Sequence, residues 1–349
     1  MFRQVVVMKV KQFSAEYISF LCAELKMILA GGISLDEALL MMADEEKDSE
    51  AAKVLREMGE KISMGEPLNE VFSECGRFPR HMTDMIGIGY RSGRLEEVFG
   101  ELSGYYDREY RLKNSIKSAV TYPAVLIALM FCVVLVLMIK ILPVFKSVFD
   151  QLGGGVSPLA GTLMKAGVLM GENLIVVLAV VAAVVAVLVA MTVKSRKAGR
   201  PTVFMTKSLA KKASAARFAS AVSMAVSSGL SLDETFDVAA SMDFDKETLD
   251  AIGRAQENMR ENYDFAEALG ASGLYSNIHT RMIAMGYRSG NLDQVLAEVA
   301  DIMSEDVNAE LDALAGKVEP TLVIILSVVI GIILLSVMLP LMDIMSAIG

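Results

Sequence analysis

The chain has 349 residues, 54% of them hydrophobic, and a mean hydropathy of +0.47. That is too apolar for an ordinary soluble chain. Thirty-three Lys and Arg stand against 42 Asp and Glu, a net charge of −9, which speaks against the basic face of a dedicated nucleic-acid binder. Three cysteines cannot form a disulfide framework, and two histidines leave few groups for catalysis or metal binding.

Residues 1–12 (MFRQVVVMKVKQ) hold only a short apolar run interrupted by Lys9 and Lys11, so no cleaved leader is expected there. Tyr17, Leu21, Leu25, Ile28 and Leu29 then recur at three- and four-residue spacing and end at Gly31-Gly32, the pattern of an amphipathic helix. Ser34-Leu35-Asp36-Glu37 reads as a capping box opening the next helix, its acids suiting the positive end of the helix dipole. The acidic run Asp44-Glu45-Glu46 with Asp48 and Glu50 reads as a solvated interhelix loop rather than a cation site. Further helices are expected over 50–64, 68–75, 79–90 and 95–117, with no alternating pattern that favours strands.

Three apolar stretches follow. Pro123 to Ile139 gives 17 residues without a charge, about 26 Å of helix, before Lys140; its stem can lie in an apolar layer while the ammonium reaches the headgroups. Residues 173–193 and 320–342 each meet the length of a membrane helix unaided. Lys194, Arg196, Lys197, Arg200, Lys207, Lys211 and Lys212 crowd the exit of the second stretch. Arg108, Arg111, Lys113 and Lys117 precede the first. The excess of basic residues places both flanking regions in the cytoplasm, with residues 146–170 outside. Acids outnumber Lys317 before the third stretch, so the C-terminal tail is placed outside by the count of three spans alone. Cys22 and Cys75 then lie in a reducing compartment and Cys132 in the first span, so all three are read as free thiols.

The chain also repeats itself. Gly32-Ile33-Ser34-Leu35-Asp36-Glu37 recurs as Gly229-Leu230-Ser231-Leu232-Asp233-Glu234, and Gly89-Tyr90-Arg91-Ser92-Gly93 as Gly286-Tyr287-Arg288-Ser289-Gly290, both at a shift of 197 positions. Pro123 matches Pro320 and Pro143 matches Pro340 at the same shift. Across 85–101 and 282–298, ten of 17 positions are identical, so the chain arose by duplication. The expected architecture is an all-α integral membrane protein with two homologous cytoplasmic bundles of about six helices each and three membrane helices. The boundaries are 1–117 for the first helical domain, 118–145 for the first span and 146–170 for an extracytoplasmic loop. The second span follows at 171–193, the second domain at 194–318, the third span at 319–342 and a short tail at 343–349. The unpaired middle span is needed to return the second domain to the side of the first.

Gly93 and Gly290 read as helix stops before new helices at Leu95 and Leu292, and Arg91 and Arg288 would project from those bends as a contact surface. His81 and His279 are out of register under the shift, since His81 matches Ile278, which argues against a duplicated metal site. Gly153-Gly154-Gly155 lacks the Gly-Lys-Ser/Thr of a phosphate loop, and the methionines read as adaptable core filler. Neither a catalytic motif nor a cofactor fingerprint emerges, and no cofactor is expected.

Two helical domains, each with a Gly-(Ile/Leu)-Ser-Leu-Asp-Glu turn and a G-x-x-S-G-x-L turn, joined to three spans, resemble the type II secretion F domain family over roughly residues 13–345. The resemblance implies a non-enzymatic inner-membrane platform for a type IV pilus or a secretion pseudopilus, commonly oligomeric. It implies a hexameric secretion ATPase on the cytoplasmic side, pilin or pseudopilin subunits passed from the membrane, and other inner-membrane assembly proteins as partners. By resemblance, Gly89, Tyr90, Arg91, Ser92 and Gly93, with Gly286, Tyr287, Arg288, Ser289 and Gly290, are candidate contact turns. The 119–123 segment with Pro123, and Glu319 with Pro320, occupy the domain-to-span junctions. Family members commonly carry Glu after the first glycine of the turn, whereas this chain has Tyr90 and Tyr287, which keep a hydrogen bond but no charge. The rival reading is a small membrane transporter or channel subunit, which needs ionisable groups inside its bundle; Lys140 alone interrupts the apolar runs. A membrane-anchored signalling enzyme would need nucleotide and catalytic motifs that the sequence does not carry.

Overall fold

A computed structural model describes residues 12–46, 49–141, 144, 147 and 206–348. The expected extracytoplasmic loop, apart from Ser147, and the second span at 171–193 lie outside the described residues, as do residues 1–11. The chain divides into two compact units, Met1–Asn114 with Met205–Asn308, and Ser115–Phe204 with Ala309–Gly349.

In the first unit the first copy runs through α1 (Ala15–Ala30), α2 (Leu35–Glu45), α3 (Glu50–Ser63), α4 (Leu68–Glu74), α5 (Arg80–Ser92) and the start of α6 (Leu95–Val136). The second copy follows the same order through α7 (Lys207–Ser227), α8 (Leu232–Ala240), α9 (Lys246–Arg260), α10 (Phe265–Ala271), α11 (Asn277–Ser289) and the start of α12 (Leu292–Ile348). Among the described residues every regular element is helical.

Local chemistry explains the boundaries. The hydroxyl of Ser14 accepts the Tyr17 N–H at 3.1 Å to open α1. At Ser231 the expected capping box forms in full: its hydroxyl accepts the Glu234 N–H, and its own N–H donates to the Glu234 carboxylate at 2.9 Å. At Ser34 it does not. That residue has the N-cap backbone but makes no side-chain cap bond; its hydroxyl engages Asp36 instead and holds that carboxyl below its usual range.

The α5–α6 corner accounts for both glycines of the repeated motif. Gly93 is left-handed at φ 69°, and the next N–H, of Arg94, returns to the Gly89 carbonyl at 2.9 Å, closing the helix end. Gly89 is needed for a different reason, since a Cβ there would lie 2.8 Å from Cγ2 of Val98. Gly290 (φ 77°) and Gly286, against Val295, repeat both features in the second copy.

The copies are unequally buried. α1 buries one face, through Ile18, Leu21, Cys22 and Leu25, whereas α7 is buried on nearly every side, including Ser220 and Ser223. α5 buries Met82, Thr83, Met85 and Ile86, while its counterpart α11 buries only Ile283 and Gly286.

In the second unit, α6 continues without a break to Val136 and passes into a π-helical turn, Leu137–Ile141, in which Lys140 is exposed. The helix expected from Leu95, the last of its bundle and read as running on into its span, does continue past Lys117. Pro123 lacks an N–H for the Ala119 carbonyl, yet the helix runs through it, and Thr121 donates to the Lys117 carbonyl at 2.8 Å just before it. α6 and α12 each contain an apolar window of mean hydropathy 2.5 and 2.6 respectively, long enough to cross a membrane. Only 12% and 6% of those windows is buried, so Val125, Leu129, Ile324 and Val328 present bare hydrocarbon.

Candidate partner-contact surface

The repeated turns divide into a hidden and a displayed half. Gly89 and Gly286 are buried at their corners, and the hydroxyls of Ser92 and Ser289 turn back to helix carbonyls, Ser92 to Ile88 at 3.0 Å and Ser289 to Gly286 at 3.2 Å. Tyr90 and Tyr287 are 60% and 48% exposed, and Arg91 and Arg288 are exposed beside them. Each corner thus offers a phenol and a guanidinium to solvent on a backbone fixed by two glycines. That pairing suits a carboxylate or a backbone carbonyl on a partner.

The residues expected at the junctions, Pro123, Glu319 and Pro320, lie in the second unit, where Tyr122 stands beside Glu319. Glu319 and Pro320 lie within the unbroken run of α12, and Thr321 donates to the Lys317 carbonyl at 2.8 Å, echoing Thr121 on α6.

Sequence reasoning missed the seam between the copies in the first unit. Glu109 of α6, only 7% exposed, accepts from Arg217 Nε of α7 and from Lys113, each at 2.9 Å. Burial alone would raise the Glu109 carboxyl, but Arg217 and Lys113 outweigh it and hold the group below its usual range. Arg217 also donates to the Asp243 carbonyl at 3.2 Å and lies 5.3 Å from the Phe244 ring centre. Arg94, next to the first turn, reaches the Ser227 carbonyl at 3.4 Å, and Arg108 pairs with Asp301 at 3.1 Å. Tyr105, Arg108, Glu109, Leu112, Arg217 and Ser220 are among the residues that line the narrow cleft between the copies. A buried acid and a lone arginine 108 positions apart carry no sequence signature, so nothing short of the fold could pair them.

His81 belongs to the same seam. Its ring packs on Tyr106 and edge-on to Tyr105, with Nε2 2.9 Å from the Tyr106 hydroxyl. Burial pushes its pKa down to about 4, the nearby Glu109 opposing and Arg217 adding to that shift. The unfolded chain binds this proton below about pH 6.5 and the folded chain only near 4, so stability falls as the pH drops through that window. The expected loss is on the order of 3 kcal/mol at pH 4. Urea unfolding of the detergent-solubilised chain between pH 7 and 4 checks it: His81→Phe should flatten this part of the profile, and an unchanged profile would assign the acid sensitivity elsewhere.

A duplicated helical domain, membrane-length helices and a doubled exposed corner define a helical membrane protein built by repetition, with its displayed chemistry suited to holding other proteins. The family model for type II secretion system protein F matches residues 21–143 and again 218–340, and the chain belongs to that family. The two matches stand at the shift of 197 that separates the repeated turns. It is 22% identical over 342 residues to the type IV pilus assembly protein TapC of Aeromonas hydrophila, covering 95% of this chain and 82% of that protein. It is 25% identical over 329 residues to the type IV pilus assembly protein PilC of Myxococcus xanthus, covering 92% and 78%. It is also 25% identical over 344 residues to the type II secretion system protein F of Pseudomonas aeruginosa, covering 96% and 84%.

Proposed function

We propose that this chain is a non-enzymatic inner-membrane platform for assembly of a type IV pilus or a type II secretion pseudopilus, coupling a cytoplasmic hexameric ATPase to the insertion of pilin or pseudopilin subunits. The observation that carries the reading is the paired family match, in register with the duplication and spanning nearly all of both copies. The names of the relatives support it, since they belong to pilus assembly and to secretion alike.

In this reading the protein crosses the membrane three times, at 118–145, 171–193 and 319–342. The helical domains at 1–117 and 194–318 face the cytoplasm, residues 146–170 lie outside, and the tail at 343–349 ends outside. Gly89–Gly93 and Gly286–Gly290 are contact turns for the motor or for other inner-membrane assembly proteins. Their exposed Tyr and Arg side chains support that role. Pro123, Glu319 and Pro320 mark where movement of the domains passes to the spans, and the unbroken course of α6 favours such transmission.

Cross-linking in native membranes, then affinity purification and mass spectrometry, tests the reading. A hexameric ATPase linked to 13–117 or 203–317, with pilin-like subunits linked near the spans, is the expected result. Repeated recovery of neither partner under filament-forming conditions would overturn it in favour of a transporter subunit, for which solute flux in liposomes is the direct assay.

A further inference from the structure

The contact between the copies in the first unit is one-sided. α7 of the second copy lies on α6 of the first, through Arg217 on Glu109 at 2.9 Å, while the Tyr105 hydroxyl meets Met242 Sδ of the second copy at 3.7 Å. Tyr105 and Glu109 on α6 and Ser220 on α7 meet at this contact and are buried, as is Met224 one turn further along α7. Shifting each residue by 197 gives its counterpart: Ile302 and Asp306 on α12, and Phe20, Ala23 and Met27 on α1 in place of Arg217, Ser220 and Met224. None of these counterparts is buried. Phe20 is 54% exposed and Met27 66%, Asp306 is exposed, and Ile302 and Ala23 are half-buried. Ile278, the counterpart of His81, is 71% exposed, although His81 itself is tucked against Tyr105 in the occupied version. The molecule carries both halves of the interface twice and closes one pair.

We propose that the outer face of α1 on one molecule docks on the α11–α12 face of a second copy of this chain, repeating between molecules the α7-on-α6 contact made within one. Phe20, Ala23 and Met27 fall at i, i+3 and i+7 on one helix face, and Ile278, Ile302 and Asp306 mark the receiving face. Such a contact is heterologous, joining two different faces, so it propagates until a ring closes. The internal ion pair is not repeated: Phe20 replaces the guanidinium, and Asp306 has His279 of its own copy as an electrostatic neighbour. The contact between molecules rests on apolar area and is looser than the one inside. The inference deepens the oligomeric part of the platform reading and takes only its membrane setting from it.

The test uses full-length protein carrying Cys75→Ser and Cys132→Ala, with buried Cys22 left in place. Differently tagged Phe20→Cys and Asp306→Cys chains are co-produced and treated in membranes with a short bismaleimide, because an Arg–Glu pair sets two backbones further apart than a disulfide reaches. A tag-to-tag dimer is expected from the mixture at roughly tenfold the yield of either variant alone. Adding Met27→Asp to the Phe20→Cys chain should return that yield to background while the protein still accumulates in the membrane. Equal self-linking by a single variant would mean a symmetric contact and overturn the proposal. So would links from these cysteines to a motor or a pilin instead of to the second copy, or no link at all. The readout is self-association, so it stands or falls independently of whether filaments form.

Discussion

Inserting Gly-Ser-Gly-Ser after Lys117 should abolish filament assembly, whereas four alanines at the same point should preserve a substantial part of it. Both insertions lengthen the helix by about 6 Å and turn its phase by about 40°. They differ in stiffness, since each glycine costs a helix roughly 1 kcal/mol relative to alanine. α6 is continuous across Lys117, so the comparison isolates helix integrity from length and register. Under the platform reading, the helical domain keeps its contacts in both variants and motor recovery by cross-linking is unchanged. Counting surface filaments decides the matter: equal loss in both variants would point to register, and wild-type numbers in the Gly-Ser variant would rule out transmission through this helix.

Glu109→Ala should destabilise the first unit by about 2–3 kcal/mol, because it leaves the half-buried Arg217 at the seam without its carboxylate. The reverse change, Arg217→Ala, should cost less, since Lys113 still faces Glu109 at 2.9 Å. The double variant Glu109→Leu, Arg217→Met should recover most of the loss, as apolar pairs of similar volume often replace a buried ion pair without penalty. Urea unfolding of the solubilised protein measures all three. A double variant as unstable as Glu109→Ala would mean that the pair contributes geometry an apolar seam cannot supply.

The local grammar of this fold was open to reading. The Gly93 and Gly290 stops and the order of helices from Tyr17 onward follow from residue chemistry within a few positions, where left-handed backbone is decided. The repeat was equally plain, because a fixed shift needs no knowledge of structure. Two things were not legible. Ser34 and Ser231 sit in matching motifs, yet only Ser231 forms the box; the Ser34 hydroxyl turns to Asp36 and makes no cap bond, a difference that the motif does not carry. The seam was hidden more thoroughly: Glu109, Arg217 and Arg94 are ordinary charged residues until tertiary packing brings distant helices together. Gly89 lay between these extremes. It was visible as part of a motif, but its purpose, making room for Val98, needs the packed corner.

The unequal burial of α1 and α7 bears on how the two halves can change with time. At positions where α1 has Glu16, Glu24, Lys26 and Ile28, α7 has Ala213, Ala221, Ser223 and Ala225, all enclosed. Moving the bulk of α1 into the place of α7 would force charged and branched side chains into a filled space. The halves have ceased to be interchangeable parts: a hybrid gene with two first copies would encode a chain in which the tandem no longer closes on itself. Drift in either half is therefore constrained by the other, and the duplication has become a commitment that neither half can undo alone.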